Sequence, residues 1–254
     1  MIFYFSATGN SKYVATRIEG ETNERAISIT ECMTTNQLSF NINSTERIGI
    51  ISPTYGWVLP SIVREFLSLL RLRGYKENYA FFVATYGTTS GQTGEYASQL
   101  LEKKDIHLNA KFSVKMPDTW TPIYDLSNKE KVNEINTKAE SEIHDVIHLI
   151  KNRSAGDFMK NKVPYTASLF YGLVYEHCMR KTNKFSVDEN CISCGLCAKK
   201  CPVKAIELQN GKPVWVQDKC VMCLGCLHGC PKFSIQHGKN TKKHGQYKNP
   251  NVRI

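Results

Sequence analysis

Residues 191–202 read CISCGLCAKKCP, and residues 220–231 read CVMCLGCLHGCP. The two stretches share the spacing C-x2-C-x2-C-x3-C-P and begin 29 residues apart, so they are two copies of one unit. Eight of the ten cysteines of this 254-residue chain lie in these copies. Cysteines crowded in this way, in a chain whose first residues lack the basic start and apolar stretch of a signal peptide, indicate metal ligands rather than disulfides.

This spacing is the one by which bacterial proteins hold two iron–sulfur clusters. Three close cysteines reach one cluster, and the fourth, carried away at the proline, ligates the other. The pattern therefore assigns Cys191, Cys194, Cys197 and Cys230 to the first cluster, and Cys220, Cys223, Cys226 and Cys201 to the second. The alternative is a structural zinc module, because paired C-x2-C units also bind zinc, but the doubled pattern with two Cys-Pro pairs exceeds a simple zinc ribbon.

Residues 185–237 resemble the ferredoxins that carry two [4Fe-4S] clusters, and every ligand of that family is present. The resemblance implies a small α+β domain that relays single electrons at low potential. Cys32 and Cys178 lie outside the motif, and we expect them to be ordinary thiols. The histidines, including His228 within a cluster loop, suggest no catalytic role, and the catalytic residues stay unassigned.

The first half of the chain alternates between strand and helix patterns. Short apolar stretches occur at residues 1–5, 26–29, 48–51, 79–85 and 112–116, and apolar residues at helical spacing follow most of them. A capping box of Ser127 and Glu130 starts the last helix. Five strands separated by helices predict an α/β, doubly wound parallel sheet with ligands at the carboxyl ends of its strands.

Three loops at those carboxyl ends carry hydroxyls, glycines and aromatic rings. Residues 6–11 read SATGNS and run into a helix, residues 53–57 read PTYGW, and residues 85–91 read TYGTTSG. The first loop suits an anion, since helix N-termini and hydroxyls donate to phosphate, although by itself it also fits a simple capped helix start. It is neither a Walker loop nor a G-x-G-x-x-G motif. The other two loops suit a flat ring with a polar edge, because glycines let backbone donors approach.

Residues 1 to about 150 thus resemble flavodoxins, whose phosphate loop and two ring loops occur here in the same chain order. The resemblance implies a five-stranded sheet of order 2-1-3-4-5 with FMN at its switch point. It assigns the phosphate to Ser6, Thr8, Gly9, Asn10 and Ser11, and the ring to Pro53, Thr54, Tyr55, Gly56, Trp57, Thr85, Tyr86, Gly87 and Gly91, with Tyr55 and Trp57 as stacking candidates. Residues 116–124 either border the flavin or form an aromatic lid over the helices.

These interpretations divide the chain into a flavodoxin-like domain (1–152), a bridging segment without assigned function (153–184), a ferredoxin-like domain (185–237) and a basic tail (238–254) that we expect to be mobile. Residues 1–150 hold 15 basic and 17 acidic side chains, net −2, whereas residues 151–254 hold 18 and 6, net +12. The excess indicates an acidic partner or an anionic surface, or it offsets the negative charge of bound clusters. No run of eighteen apolar residues occurs, so we expect no membrane span and a cytoplasmic location.

The whole chain resembles a family of flavodoxin–ferredoxin fusions. That resemblance implies an electron-transfer iron–sulfur flavoprotein with FMN and two [4Fe-4S] clusters, which links low-potential one-electron carriers to a redox partner in an anaerobic metabolism. The alternative is an FMN-dependent reductase of a small organic acceptor, an oxidoreductase fed by its own ferredoxin domain. A nucleic-acid-binding redox sensor is least favoured, because no helix-turn-helix accompanies the basic tail. The direction of electron flow, the partners and the oligomeric state, homo-oligomers included, stay open.

Overall fold

The N-terminal part of the chain alternates short strands with helices that cover both faces of a sheet. The computed structural model describes all 254 residues. Its elements up to residue 157 are β1 (Ile2–Tyr4), α1 (Asn10–Thr22), β2 (Ala26–Ser28), α2 (Ile29–Thr35), β3 (Ser39–Asn41), β4 (Ile48–Pro53), α3 (Ser61–Leu69), β5 (Arg71–Arg73), β6 (Ala80–Tyr86), α4 (Thr93–Glu102), β7 (Ala110–Lys115), α5 (Lys129–Lys151) and β8 (Gly156–Asp157).

The main sheet has six parallel strands in the order β2-β1-β4-β6-β7-β8. Its first five strands confirm the expected order 2-1-3-4-5. The prediction of five strands missed β8, which pairs with Ala110 and Lys111 over two residues only and is too short to show an alternating pattern. A separate parallel pair, β3 and β5, lies outside this sheet.

Apolar side chains cover both faces of the sheet. Phe3, Phe66 and Phe82 belong to the core on one face, together with residues of α2, α3 and α4. Phe81 and Phe112 belong to the core on the other face, together with residues of α1 and α5. Two buried faces explain why the strands read as continuous apolar stretches, and they leave the loops at the carboxyl ends free to form a site.

Helix α5 begins one residue later than the predicted capping box. Asn128 is its N-cap, and the Asn128 side chain accepts a hydrogen bond from the backbone N–H of Lys131 at 3.0 Å. Ser127 instead donates its backbone N–H to Asp125 at 2.8 Å. The box of Ser127 and Glu130 was therefore wrong, because asparagine caps a helix as well as serine does.

The rest of the chain forms small elements around the cysteines. They are α6 (Tyr165–Val174), a π-helix (Tyr175–Met179), β9 (Phe185–Val187), α7 (Leu196–Lys199), β10 (Ile206–Gln209), β11 (Lys212–Trp215), α8 (Gly225–Gly229), β12 (Ile235–His237) and α9 (Thr241–His244). Strands β10 and β11 form a hairpin, and β12 pairs antiparallel with β9. A core of only six buried residues supports this part, so we expect the bound clusters implied by the cysteine motif to act as structural staples. None of the helices of the chain combines the length and the apolar character needed to cross a membrane.

The C-terminal strap, which we define as residues 246–254, corrects the expectation of a mobile tail. Tyr247 and Asn249 are buried. The Gln246 side chain donates to the carbonyls of Leu227 and Cys230, and the Asn249 backbone N–H donates to the carbonyl of Thr8 at 2.8 Å. These hydrogen bonds use backbone and amide groups, which leave no apolar periodicity in the sequence. The strap therefore joins the cysteine-rich part to the first loop of the N-terminal domain.

His237 should make the stability of the chain depend on pH. Its side chain is 6% exposed, neither ring nitrogen has a hydrogen-bond partner, and it lies among Phe185 and Trp120. Burial, with a smaller contribution from Lys184, lowers the pKa of His237 from 6.5 to about 4. His237 thus binds a proton in the unfolded chain at a pH where it stays neutral in the folded chain. The folded state therefore loses stability as the pH falls below 6.5, the pKa of His237 in the unfolded chain.

Between about pH 7.5 and about pH 5.5 we expect His237 to reduce the free energy of unfolding by about 1.4 kcal/mol. Urea unfolding of His237→Leu should show a pH dependence weaker by this amount. The matched change at the exposed His144, His144→Leu, should leave the pH dependence as in the wild type. Equal pH profiles for the wild type and His237→Leu would contradict the assignment.

Candidate functional site

One open cleft lies at the carboxyl edge of the sheet. It encloses about 1020 Å³, counted with the adjoining solvent. Of the predicted FMN residues it is lined by Ser6, Thr8, Asn10, Ser11, Pro53, Thr54, Tyr55, Gly56, Trp57, Thr85, Tyr86 and Gly87. Gly9 and Gly91 do not line it. A Cβ atom at Gly9 would lie 2.8 Å from the Cβ of Asn249, so this glycine makes room for the strap.

The first loop ends at the N-terminus of α1, where backbone N–H groups are free to meet an anion. The Thr8 and Ser11 side chains are buried there, and Ser11 shares a hydrogen bond with Thr85 at 2.8 Å. No Lys, Arg or His lines the cleft. A phosphate would therefore be held by hydroxyls and by the helix N-terminus, without an ion pair.

Asn10 serves the loop in a way that the sequence analysis missed. Its Oδ1 accepts hydrogen bonds from Tyr247 Oη at 2.8 Å and from Asn249 Nδ2 at 3.2 Å. Its Nδ2 donates to the carbonyl of Pro117 at 3.2 Å. The Asn10 side chain is thus engaged by the strap and the loop at residues 116–124, and only its backbone remains for an anion.

The aromatic residues of the second loop have different surroundings. Trp57 stacks on Tyr171 of α6, with ring centroids 4.2 Å apart and planes 21° apart, so one face of the indole is already covered. Tyr55 meets Phe5 edge-on at 6.3 Å and Tyr175 at 6.5 Å. Trp57 therefore has a single free face for a flat ligand, and Tyr55 is packed into the wall behind it.

Two further segments complete the cleft. The loop at residues 116–124 contributes Asp118, Trp120 and Tyr124, so it borders the cleft rather than covering the helices as a lid. The bridging segment contributes Tyr171, Tyr175 and Met179 from α6 and the π-helix. The apolar composition of residues 165–179 was the only sequence signal for this second contribution.

The eight motif cysteines line two separate cavities. Cys191, Cys194, Cys197 and Cys230 line one of about 370 Å³. Cys201, Cys220, Cys223 and Cys226 line another of about 1170 Å³, counted with the adjoining solvent. This partition follows the predicted ligand sets, each with one cysteine from the other copy of the motif. No group of three or more His, Cys, Asp or Glu side chains is arranged to hold a single metal ion. A multi-atom cluster suits four cysteines around one cavity, because its ligands bind different corners.

Backbone groups and burial prepare these sulfurs for a negative cluster. The backbone N–H groups of Ala205, Met222 and Ser234 donate to the sulfurs of Cys201, Cys220 and Cys230 at 3.2 to 3.3 Å. Such bonds stabilise thiolates and tune clusters.

Burial raises the pKa of Cys220 to about 11 and of Cys223 to about 12, and it raises the pKa of Cys226 well above its ordinary value. Without a bound cluster these thiols keep their protons at neutral pH, and cluster assembly must displace those protons.

The second cysteine cavity adjoins the cleft. Ser6, Ala7, Cys223 and Leu224 line both spaces. A Cβ atom at Gly225 would lie 3.5 Å from the Cβ of Ala7, which shows how closely the cysteine loop and the first loop approach. Tyr175 Oη also donates to the carbonyl of Val221 at 2.8 Å, so the π-helix joins the same contact.

Comparisons with known proteins agree with these two parts. A family model described as flavodoxin domain matches residues 1–145, and one described as 4Fe-4S dicluster domain matches residues 190–235. An uncharacterized polyferredoxin-like protein of Methanocaldococcus jannaschii is 40% identical over 68 residues, which cover 22% of this chain and 40% of that protein. A ferredoxin of Pyrobaculum islandicum is 37% identical over 59 residues, which cover 22% of this chain and 55% of that protein. The chain thus spans about half or less of the length of these relatives.

A solved structure of Fusobacterium nucleatum flavodoxin bound to flavin mononucleotide aligns with 60% of this chain and 96% of its own, at 14% identity and a TM-score of 0.36. The family matches, together with the cleft and the two cysteine cavities, give the cofactors of the chain as FMN and [4Fe-4S] clusters.

Proposed function

Because this chain belongs to the flavodoxin domain family and continues into a 4Fe-4S dicluster domain, we propose that it exchanges electrons between FMN in the cleft and a protein carrier. The carrier docks at the cluster of Cys191, Cys194, Cys197 and Cys230, which we call the outer cluster. Iron–sulfur clusters pass one electron at a time, whereas FMN stores one or two. The chain therefore gathers single electrons and delivers pairs, or the reverse.

The wall shared by the cleft and the second cysteine cavity carries this proposal. Four residues line both spaces and form this wall: Cys223 and Leu224 from the cysteine loop, and Ser6 and Ala7 from the first loop. Electrons therefore pass between cofactors on the two sides of this wall without leaving the protein. Of this second cysteine set, which we call the inner set, Cys220 is buried and the other three members are partly buried.

The residues that hold FMN follow from the cleft. Thr8, Ser11 and the N-terminus of α1 bind the phosphate, and the backbone of Gly56 and Gly87 meets the polar edge of the ring. Trp57 offers its free face to the ring, since Tyr171 covers the other. We propose the same four parts as the sequence analysis, with the bridging segment and the strap contributing to the FMN site, so that the four parts work as one unit.

The cysteines of the outer cluster, Cys191, Cys194, Cys197 and Cys230, lie near the protein surface. Cys194 is exposed, and Ile192 and Leu208 beside it are 56% and 43% exposed. Lys212 donates to the carbonyl of Cys191 at 3.0 Å, and Lys232 lines the same cavity. An apolar patch with lysines around it suits an acidic one-electron carrier protein, because charge steers the encounter and the apolar contact brings the cofactors close.

Charge steering gives a prediction for the reaction with such a carrier. Raising the ionic strength from about 0.05 to about 0.5 M should lower the second-order rate constant of electron transfer by about tenfold or more. Lys232→Glu should produce a similar loss at low salt, whereas Lys138→Glu on the distant α5 should not. Stopped-flow mixing of the reduced carrier with the holoprotein measures both. A rate that is independent of salt and of Lys232 would place the docking surface elsewhere.

A second function keeps support from the cleft itself. Trp120, Ile123 and Tyr124 extend its wall beyond the loops assigned to FMN, and Ile123 is 63% exposed at its rim. A small organic acceptor could be reduced there, next to the flavin. Anaerobic turnover with a panel of quinones, nitroaromatics and enones separates the two functions. A carrier reduces only proteins and artificial dyes, and steady turnover of one organic acceptor would favour the reductase.

A further inference from the structure

Asp118 is the only acidic or basic side chain, apart from tyrosines and cysteines, that lines the cleft. It forms no salt bridge, and no Lys, Arg or His lies on the cleft wall to hold its negative charge. A carboxyl group in this setting has no role in binding an anionic cofactor.

The Asp118 carboxyl is held in one orientation against the third loop. Its Oδ1 accepts the backbone N–H of Trp120 at 3.0 Å, which turns Oδ2 toward Thr88. A Cβ atom at Gly87 would lie 2.2 Å from the Cβ of Asp118 and 2.3 Å from its Oδ2. Any side chain at position 87 would displace the carboxyl, so the glycine of this loop is needed as much for Asp118 as for a flavin.

Asp118, Thr88 and Tyr124 form a chain of two hydrogen bonds. Thr88 Oγ1 lies 3.1 Å from Asp118 Oδ2 and 2.8 Å from Tyr124 Oη. Thr88 has a single hydroxyl hydrogen, so it donates to one partner and accepts from the other. When Asp118 is ionised, Thr88 donates to it and Tyr124 donates to Thr88. When Asp118 is protonated, both bonds reverse, and the Tyr124 hydrogen turns outward.

We propose that Asp118 holds the proton that accompanies electrons to the flavin ring, and that Thr88 and Tyr124 resupply it from water. This inference rests on the proposed presence of a reducible flavin in the cleft. Thr88 is exposed to solvent, and Tyr124 and Asp118 are half-buried in the cleft wall, so the chain connects water with the site.

Only a proton moves along this chain, and the electrons come from the reduced carrier through the clusters. The O–H at Asp118 Oδ2 turns from Thr88 toward the cleft, and this bond breaks as its proton leaves for the ring. Thr88 then gives its hydroxyl proton to Asp118, Tyr124 gives its own to Thr88, and Tyr124 takes one from water. Each group ends in its starting protonation state, and one proton has passed from water to the cleft.

The surroundings favour the protonated carboxyl. Burial raises the pKa of Asp118 above its ordinary value, against the opposite effect of the hydrogen bonds from Trp120 and Thr88. The titratable groups that face it are phenols: Tyr124 through Thr88, and Tyr55, whose own pKa is raised well above its ordinary value, first by burial and in small part by Asp118. Because its pKa is raised, the Tyr55 phenol is uncharged at neutral pH and does not offset the effect of burial on Asp118.

The test measures proton uptake during photoreduction of FMN in the full holoprotein, with a pH-indicator dye and flavin absorbance recorded together. In the wild type we expect proton uptake to keep pace with flavin bleaching. Asp118→Asn, which keeps the acceptor for Trp120, should slow proton uptake about 100-fold, as expected for a lost general acid. Added formate should restore the rate in proportion to its concentration, which a structural defect would not allow.

Thr88→Val removes the relay hydroxyl and its hydrogen bond to Asp118, keeps the carboxyl itself, and should also slow uptake. Asp125→Asn, a matched change at an exposed aspartate of the neighbouring loop, should stay within twofold of the wild type. Proton uptake within twofold of the wild type in both Asp118→Asn and Thr88→Val, with FMN content unchanged, would overturn the proposal. Should Asp118→Asn fail to retain FMN, Thr88→Val alone decides. In this photoreduction a sacrificial amine donor in solution is oxidised and supplies the electrons to the excited flavin, so the result does not depend on whether the clusters supply them.

Discussion

Replacement of Cys223 by alanine is expected to remove about four of about eight iron atoms per chain and to isolate FMN from the outer cluster. Cys223 lines both the inner cysteine cavity and the cleft, so no other ligand stands so directly between the two cofactor sites. Its loss also leaves a small core without its staple, and we expect a lower melting temperature. Iron and sulfide analysis after anaerobic purification, with flavin absorbance, measures the effect.

Two companion variants make this result specific. Cys178→Ala, at the exposed thiol of the π-helix, should keep all the iron. Cys194→Ala should remove the outer cluster and leave electron exchange between the inner cluster and FMN intact. A Cys223→Ala protein with full iron content, or one whose FMN still receives electrons from the outer cluster at the wild-type rate, would contradict the ligand assignment.

Removal of the C-terminal strap is expected to weaken FMN binding about 100-fold. Three hydrogen bonds from the strap hold the first loop: Asn249 N–H to Thr8, and both Tyr247 Oη and Asn249 Nδ2 to Asn10. At about 1 kcal/mol each they contribute about 3 kcal/mol, or about 100-fold in Kd. Without them the loop must be ordered when the phosphate binds, and that cost reduces the affinity.

Point variants separate the strap from a general truncation defect. Asn249→Ala should weaken FMN binding several-fold, because it loses the side-chain bond to Asn10. Asn251→Ala changes the same residue type two positions later, at an exposed side chain, and should have no effect. Isothermal titration of the apoprotein with FMN gives each Kd. Equal affinities for the full chain and the chain ending at residue 245 would show that the strap does not serve the flavin site.

The strap also connects the two cofactor sites physically. His228 of α8 lies between them: its Nε2 donates to the carbonyl of Thr119 at 2.9 Å, and its Nδ1 accepts the backbone N–H of Tyr247 at 3.2 Å. This fixes the neutral tautomer of the imidazole with its proton on Nε2. The inner cysteine loop, the cleft wall and the strap are therefore held by one buried side chain, which suits the structural role expected of the histidines.

The parts of this protein that repeat a pattern could be predicted from the sequence. The cysteine spacing separated two ligand sets whose members line two cavities in the structure. Apolar strands between helices predicted the parallel sheet, and the resemblance to flavodoxins implied its strand order. The loops at the strand ends followed, because parallel strands bring their carboxyl ends to one edge. Patterns of this kind arise from local geometry, and a single sequence contains them.

The contacts between the parts could not be predicted. The tail was expected to be mobile because it is polar and basic, yet Asn249 and Tyr247 are buried through hydrogen bonds that no periodicity reveals. Asp118 lay in a loop with two open interpretations, and its approach to Gly87 depends on how β6 and β7 end side by side. The Asn10 side chain also forms hydrogen bonds with Pro117, Tyr247 and Asn249, although its position in the sequence predicted a contact with the phosphate.

The proposed function requires that electrons pass inside one molecule between the clusters and FMN. Its most direct test delivers less than one electron per chain to the oxidised holoprotein by laser-flash photolysis and follows first the clusters and then the flavin. We expect flavin reduction to follow cluster reduction with a first-order rate constant that is independent of protein concentration. A rate constant that rises in proportion to protein concentration, or a flavin that stays oxidised while the clusters are reduced, would contradict it.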